Sequence, residues 1–176
     1  MVVNEYDGME KIVVSGVTCN KNQARITLRA VPDQPGVVAK VFTPLAREGI
    51  QVDMIIQNTR SGGMTDVTFT VARPDCQRAA ELSEKVVKEI GGDTVLTSHE
   101  IAKVSVTGVG MKNHSGVAAR MFAALAAENI NICLISTSEI RISCVVMEKY
   151  AELAVRVLHS AFGLDQESSE FNEATT

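Results

Sequence analysis

Shifted against itself by 80 residues, the sequence repeats without a gap: Asp33-Gln34-Pro35-Gly36-Val37-Val38-Ala39-Lys40-Val41-Phe42 aligns on Asn113-His114-Ser115-Gly116-Val117-Ala118-Ala119-Arg120-Met121-Phe122. The register persists through Leu45/Leu125, Ala46/Ala126, Glu48/Glu128, Ile50/Ile130 and Ile55/Ile135. Two copies of one unit divide the 176 residues into modules of roughly 75 residues each. Each copy opens a helical pattern with a glycine, which points to paired modules that bind something at equivalent loops.

The elements of each copy follow from periodicity and turn chemistry. Arg25-Ile26-Thr27-Leu28-Arg29-Ala30-Val31 alternates polar and apolar side chains and ends at Pro32-Asp33-Gln34-Pro35-Gly36, so it reads as a half-buried strand before a turn. A helix follows, with Val38, Val41, Phe42 and Leu45 on one stripe, repeated as Ala118, Met121, Phe122 and Leu125. Pro44 lies inside the first helix and predicts a kink or an early end, whereas Ala124 stands there in the second copy. Gln51 to Thr59 and Thr65 to Arg73 read as strands joined by the hairpin signal Arg60-Ser61-Gly62-Gly63. Asn131 to Ser138 and Arg141 to Glu148 repeat that pair with a shorter connection.

A second helix comes next, with Asp75 as its expected N-cap and Ala79, Leu82, Val86 and Ile90 inward; its counterpart carries Leu153, Ala154, Val157, Leu158 and Phe162. Copy 1 closes with a strand near Thr94 to Ser98, completing the βαββαβ order of an α+β, ferredoxin-like module. Copy 2 has no such closing strand, because the segment after Leu164 is polar and acidic. A surplus strand, Lys11 to Val17, stands in front of copy 1. The economical arrangement gives it to copy 2, so that module 1 (24–99) is inserted within module 2 (11–20 plus 101–165), with 1–10 and 166–176 as flexible termini.

Composition narrows the function classes. A net charge of -4 with scattered basic residues gives no face for nucleic acid or anionic membrane, and 4% aromatic residues with no Trp argue against base-stacking platforms. No apolar run reaches the roughly 18 residues of a membrane span, and Met1 to Asp7 lacks the pattern of a leader, so a cytoplasmic chain is expected. Cys19, Cys76, Cys133 and Cys144 have no CxxC spacing and no nearby His to complete a metal site; they read as reduced thiols used as small apolar residues.

The turn before each helix is where chemistry concentrates. Gly36 admits a ligand close to the backbone, the amides of Val37 and Val38 face outward at a positive dipole end, and Asp33 can accept from an ammonium group. Donors for a carboxylate beside an acceptor for a cation suit a free α-amino acid. The same turn can also be a plain turn with a cap, and its duplication favours the binding reading. Asp53 and Gln57, four apart on a strand, are expected on one face as ligand or interface contacts. Ser136-Thr137-Ser138-Glu139 offers hydroxyls and a carboxylate, or simply a solvated hairpin. His114 finds no triad partner, His99 and His159 lie elsewhere, and no phosphate loop, dinucleotide fingerprint, zinc helix or nucleophile elbow is present, so these residues do not read as an enzyme by themselves.

Asp33-Gln34-Pro35-Gly36, the run Gly108 to Val117, and above all Ile135-Ser136-Thr137-Ser138-Glu139-Ile140-Arg141-Ile142-Ser143 resemble the tandem ACT domains of bacterial aspartate kinase across residues 11 to 165. The resemblance implies a regulatory portion that binds L-threonine, L-lysine or both and inhibits an enzyme committing aspartate to lysine, threonine and methionine synthesis. It implies one effector site at Asp33, Gly36, Val37, Val38, Gln51, Val52, Asp53 and Gln57, faced by Asn131 and Ile132, and a second at Val117, Ala118, Ser138 and Glu139. Val38 departs from the smaller residue found at that turn in some relatives. The family's ATP-binding half, with its ATP and Mg, is absent from these residues, so a separate regulatory subunit or an excised regulatory fragment is expected. A homodimer joined through its ACT modules, partnered by the catalytic domain or subunit, completes the expectation. An acylphosphatase-like enzyme would need an Arg in the loop before the first helix, which is missing, and an RNA-binding module would need sheet aromatics.

Overall fold

The structure, a computed structural model, describes residues 13–109 and 114–165. Its elements are β1 (Val13–Pro32), α1 (Val37–Arg47), β2 (Val52–Arg60), β3 (Met64–Val71), α2 (Cys76–Ile90), β4 (Val95–Val109), α3 (His114–Ala127), β5 (Leu134–Thr137), β6 (Arg141–Met147) and α4 (Ala151–Ala161). Short 3-10 turns at Arg73–Asp75 and Glu148–Tyr150 lead into α2 and α4. The chain folds as two units: Lys21–Ile101, the first, and Met1–Asn20 with Ala102–Thr176, the second. Strand order is β2-β3-β1-β4 in the first and β5-β6-β4-β1 in the second, so β1 and β4 serve both. In the second unit the front of β1 lies beside β4, where the Ser15 hydroxyl donates to the Thr107 carbonyl at 3.1 Å.

Each unit buries its own aliphatic core between a sheet face and two helices. In the first, Ala24, Ile26, Leu28 and Val31 of β1 and Val67, Phe69 and Val71 of β3 meet Val37, Val41 and Leu45 of α1 and Ala79, Val86 and Val87 of α2. In the second, Val104 and Val106 of β4 and Ile142, Cys144 and Val146 of β6 meet Val117, Met121 and Leu125 of α3 and Ala154 and Leu158 of α4. The helix stripe is centred on positions i, i+4 and i+8, with Val38 and Phe42 half-buried on its flank. Hydroxyl pairs pin the registers: Thr27 and Thr68 approach to 3.0 Å, and Ser105 and Ser143 to 2.7 Å. A one-residue slip would separate each pair.

Several expectations are corrected. The strands Lys11 to Val17 and Arg25 to Val31, expected as separate pieces, belong to one continuous β1 of 20 residues, and the strand expected near Thr94 to Ser98 runs on as a β4 of 15, because no Gly-Pro turn signal interrupts Cys19 to Gln23 or Ser98 to Lys103. Pro44 does not shorten α1, which ends at Arg47, the counterpart of the last α3 residue Ala127. The carbonyl deprived of a donor belongs to Lys40, an exposed residue that water can reach. Asp75 occupies the N-cap position without capping; the 3-10 turn holds it in helical geometry and its carboxylate accepts from Arg78 at 3.3 Å. β5 is shorter than expected, beginning at Leu134. The expected strand residues Lys11 and Ile12 and the two terminal segments, 1–10 and 166–176, lie outside the described residues.

One irregularity shapes the first unit. Between Leu28 and Val31 the β1–β3 register slips by a residue, so Arg29 and Ala30 together oppose Asp66, and Val31 takes the inward place that alternation gave to Ala30. Ala30 sits at φ 49. Left-handed backbone disfavours an L-residue with a Cβ by about 1–2 kcal/mol. Here the Asp66 carboxylate meets that geometry by accepting the Ala30 N–H at 2.8 Å.

Candidate functional site

The loop from Asp33 to Gly36 is held at both ends. Asp33 donates its N–H to the Gly63 carbonyl at 2.9 Å, fastening the loop to the tip of the β2–β3 hairpin, where Gly62 and Gly63 take positive φ as the hairpin signal requires. Gly36 stands at the N-cap of α1 with φ 90, and no side chain caps the helix. Of the two amides expected to face a ligand, Val37's is occupied: it donates to Gln34 O at 3.2 Å, closing the turn, and Val37 is buried. The first intrahelical bond, Lys40 N–H to Gly36 O at 3.1 Å, leaves Val38 and Ala39 as first-turn donors that the helix cannot pair. The first turn carries no acidic residue to offset its positive dipole end. A Cβ added at Gly36 would meet nothing within 4 Å, so the approach to the backbone is open there.

The outer strand β2 supplies the remaining candidates of this unit. Gln51 precedes it, exposed; Val52 is half-buried; Asp53 and Gln57 are both exposed rather than buried. A bulge between Val52 and Ile55 sets Asp53 and Met54 together opposite Thr70, whose hydroxyl accepts the Met54 N–H at 3.1 Å, while Gln57 lies opposite Val67. The inserted residue breaks the period of two, so Asp53 and Gln57 do not share a face as their spacing suggested. Asn131, exposed, and Ile132, half-buried against the second core, belong to the second unit, in the segment between α3 and β5.

In the second unit Val117 is buried and Ala118 half-buried in the first turns of α3, while Ser138 and Glu139 are exposed in the tight connection from β5 to β6. Ser138 donates its N–H to Arg141 O at 2.8 Å, and Ile140 O accepts from Gly108 N–H at 2.9 Å, so this connection is fastened to the end of β4. Asn113 lies outside the described residues, as does the His114 side chain.

A cleft of about 450 Å³ between α1 and α2 is lined by Ala39, Lys40, Thr43, Pro44, Leu82, Lys85, Val86 and Glu89. None of the candidate residues lines it. Among the described residues no cluster of His, Cys, Asp and Glu could hold a metal ion, and no helix is long and apolar enough to cross a membrane.

The thiols behave as core groups or surface groups according to position. Cys76 and Cys144 are buried, Cys133 is half-buried and Cys19 is exposed. Burial pushes the Cys144 thiol up to about 12 and raises that of Cys76, whose Sγ lies 3.8 Å from His99 Nε2. Raised folded values mean that this contribution to stability is whole below the ordinary thiol value of 9.0 and is lost as pH climbs toward about 12. We expect the urea midpoint to fall between pH 9 and 11 and to fall less steeply in Cys144→Ala; equal slopes would contradict the burial of that thiol.

Sequence reasoning missed Gly63, whose carbonyl holds the loop, and Asp66, which no motif marks. The glycine pair announced a hairpin but not its bond to Asp33, because a contact between segments so far apart has no local signal.

Comparison with known proteins gives a consistent picture. Family models of the ACT domain match residues 25–91 and 104–162. The chain is 50% identical over 165 residues to an aspartate kinase of Pseudomonas fluorescens, covering 94% of this chain and 40% of that protein. It spans about 40% of the length of the curated relatives that it matches first. Among solved structures, the ligand-free regulatory subunit of aspartate kinase from Thermus thermophilus is 46% identical, with a TM-score of 0.80, over 85% of this chain and 98% of that one. A chain from a crystal structure of aspartokinase alpha and beta subunits is 48% identical, with the same TM-score, over 86% and 99%.

Proposed function

Because the chain belongs to the aspartate kinase family as its regulatory, tandem ACT part, we propose that it binds L-threonine, L-lysine or both and so feedback-inhibits phosphorylation of aspartate by the catalytic part. The observation that carries this reading is the nearly end-to-end match to a regulatory subunit. The loop chemistry supports the ligand class. Unpaired first-turn amides at a bare helix N-terminus suit a carboxylate, and the exposed Asp33 carboxylate beside them suits an ammonium group. Gln57, Asn131, Ser138 and Glu139 would then read the side chain.

We place the effectors where ACT modules of two chains meet, in a cytoplasmic homodimer. The outer strands support this: Ile55 on β2 and Ile135 on β5, equivalent in the repeat, are 56% and 45% exposed, and an edge strand with an exposed isoleucine favours a partner. The catalytic domain or subunit, which would bring ATP and Mg, completes the assembly; a related crystal structure pairs aspartokinase alpha and beta subunits.

Calorimetry and melting curves against a panel of free amino acids test the reading. Threonine or lysine at about 100 times its dissociation constant should stabilise the chain by roughly 2.7 kcal/mol and raise its melting temperature. A shift with some other metabolite and none with these two would overturn the ligand assignment.

A further inference from the structure

We infer that Asp66 is a positioning residue for the first effector loop; this rests on the function proposed above. Asp66 joins three strands. It belongs to β3, its Oδ1 accepts the N–H of Ala30 in the bulge of β1 at 2.8 Å, and the same oxygen lies 3.4 Å from Arg60 Nη1 at the end of β2. Ala30, at φ 49, is three residues ahead of Asp33, and Asp33 is tied to Gly63 at the turn between β2 and β3. The carboxylate therefore fixes how far β1 turns before it delivers Asp33 and Gly36 to the helix start.

The second copy carries different residues at both of these positions. Ile55 pairs with Phe69 and Ile135 with Cys144, and since the two isoleucines are repeat equivalents, Asp66 corresponds to Arg141. Gly110 corresponds to Ala30 by the repeat offset. Glycine adopts positive φ without help, whereas alanine there needs a partner to hold it. The first loop is therefore preorganised by a side chain, and preorganisation lowers the cost of binding there.

The test uses the full chain and two readouts, amide exchange at Asp33 to Lys40 without ligand and calorimetry with threonine and lysine. Asp66→Ala should speed loop exchange and weaken binding at the first site, each by roughly tenfold. Adding Ala30→Gly should restore both to within about threefold, because glycine removes the need for the lock. Asp66→Asn, which keeps an acceptor for Ala30, should lie between, and it serves if the alanine variant does not fold. Unchanged loop exchange in a folded Asp66 variant, or loosening that Ala30→Gly leaves in place, would overturn the role. Exchange needs no ligand. A parent chain that binds neither amino acid would therefore refute the proposed ligand, while the exchange result still decides what Asp66 does.

Discussion

Replacing Phe69 with alanine should destabilise the first unit by about 3–5 kcal/mol, the range for deleting a packed ring. Phe69 is fully buried in the middle of β3, paired with Ile26 on one side and Ile55 on the other. Its ring meets that of Phe42 edge to face, with centroids 5.2 Å apart and planes at 67°. Aliphatic neighbours on short helices cannot collapse into the space a ring leaves, so the transfer and cavity terms both persist. Urea titration of the variant should show a lower midpoint with an unchanged slope. Amide exchange should lose protection across residues 21–101. A loss under about 1 kcal/mol would mean that the ring is not packed as described.

Gln57→Ala and Ser138→Ala should each weaken amino-acid binding at the corresponding site by about 1–3 kcal/mol, roughly tenfold or more in affinity. The two residues lie in different units, one on the outer strand β2 and one in the connection after β5, and both are exposed, so folding should be little disturbed. In a complete enzyme the variants should resist feedback inhibition while retaining activity, since the residues that would perform phosphoryl transfer are elsewhere. If chains carrying these changes, joined to a kinase part, remain as sensitive to lysine and threonine as the parent, the contacts are wrongly assigned even though the family stands.

Much of this architecture was written in local patterns. The repeat located both helices, and the glycine pair located the hairpin. Three kinds of feature left no such trace. Continuity of β1 and β4 is signalled merely by the lack of a turn, which a polar run such as Cys19 to Gln23 disguises. Both bulges depend on partners in other strands: Thr70 receives the Met54 amide and Asp66 the Ala30 amide, so alternation within one strand could not reveal them. The 3-10 turn at Arg73–Asp75 rotated an apparently ideal cap away from its helix. For the site, residue types pointed to a ligand class and the resemblance supplied candidate positions, both of which await the binding tests above, but the spacing of Asp53 and Gln57 misled because one inserted residue reverses a strand's faces.

The division of β1 between the two units also bears on how the chain folds while it is being made. Ser15 and its acceptor Thr107 are 92 residues apart, with the whole of the first unit between them. At about 5–20 residues per second, a ribosome needs roughly 5 to 20 s to supply that partner. The last strand segment of the first unit, ending at Ile101, is made just before Thr107, so residues 21–101 hold all they need to close their own core slightly ahead of that pairing. The front of β1 must wait, its backbone edge unpaired, until the far half of β4 arrives. A chain cut short just beyond Ile101 would carry a complete first unit trailing an open strand, and that strand is where such truncated chains would stick to one another.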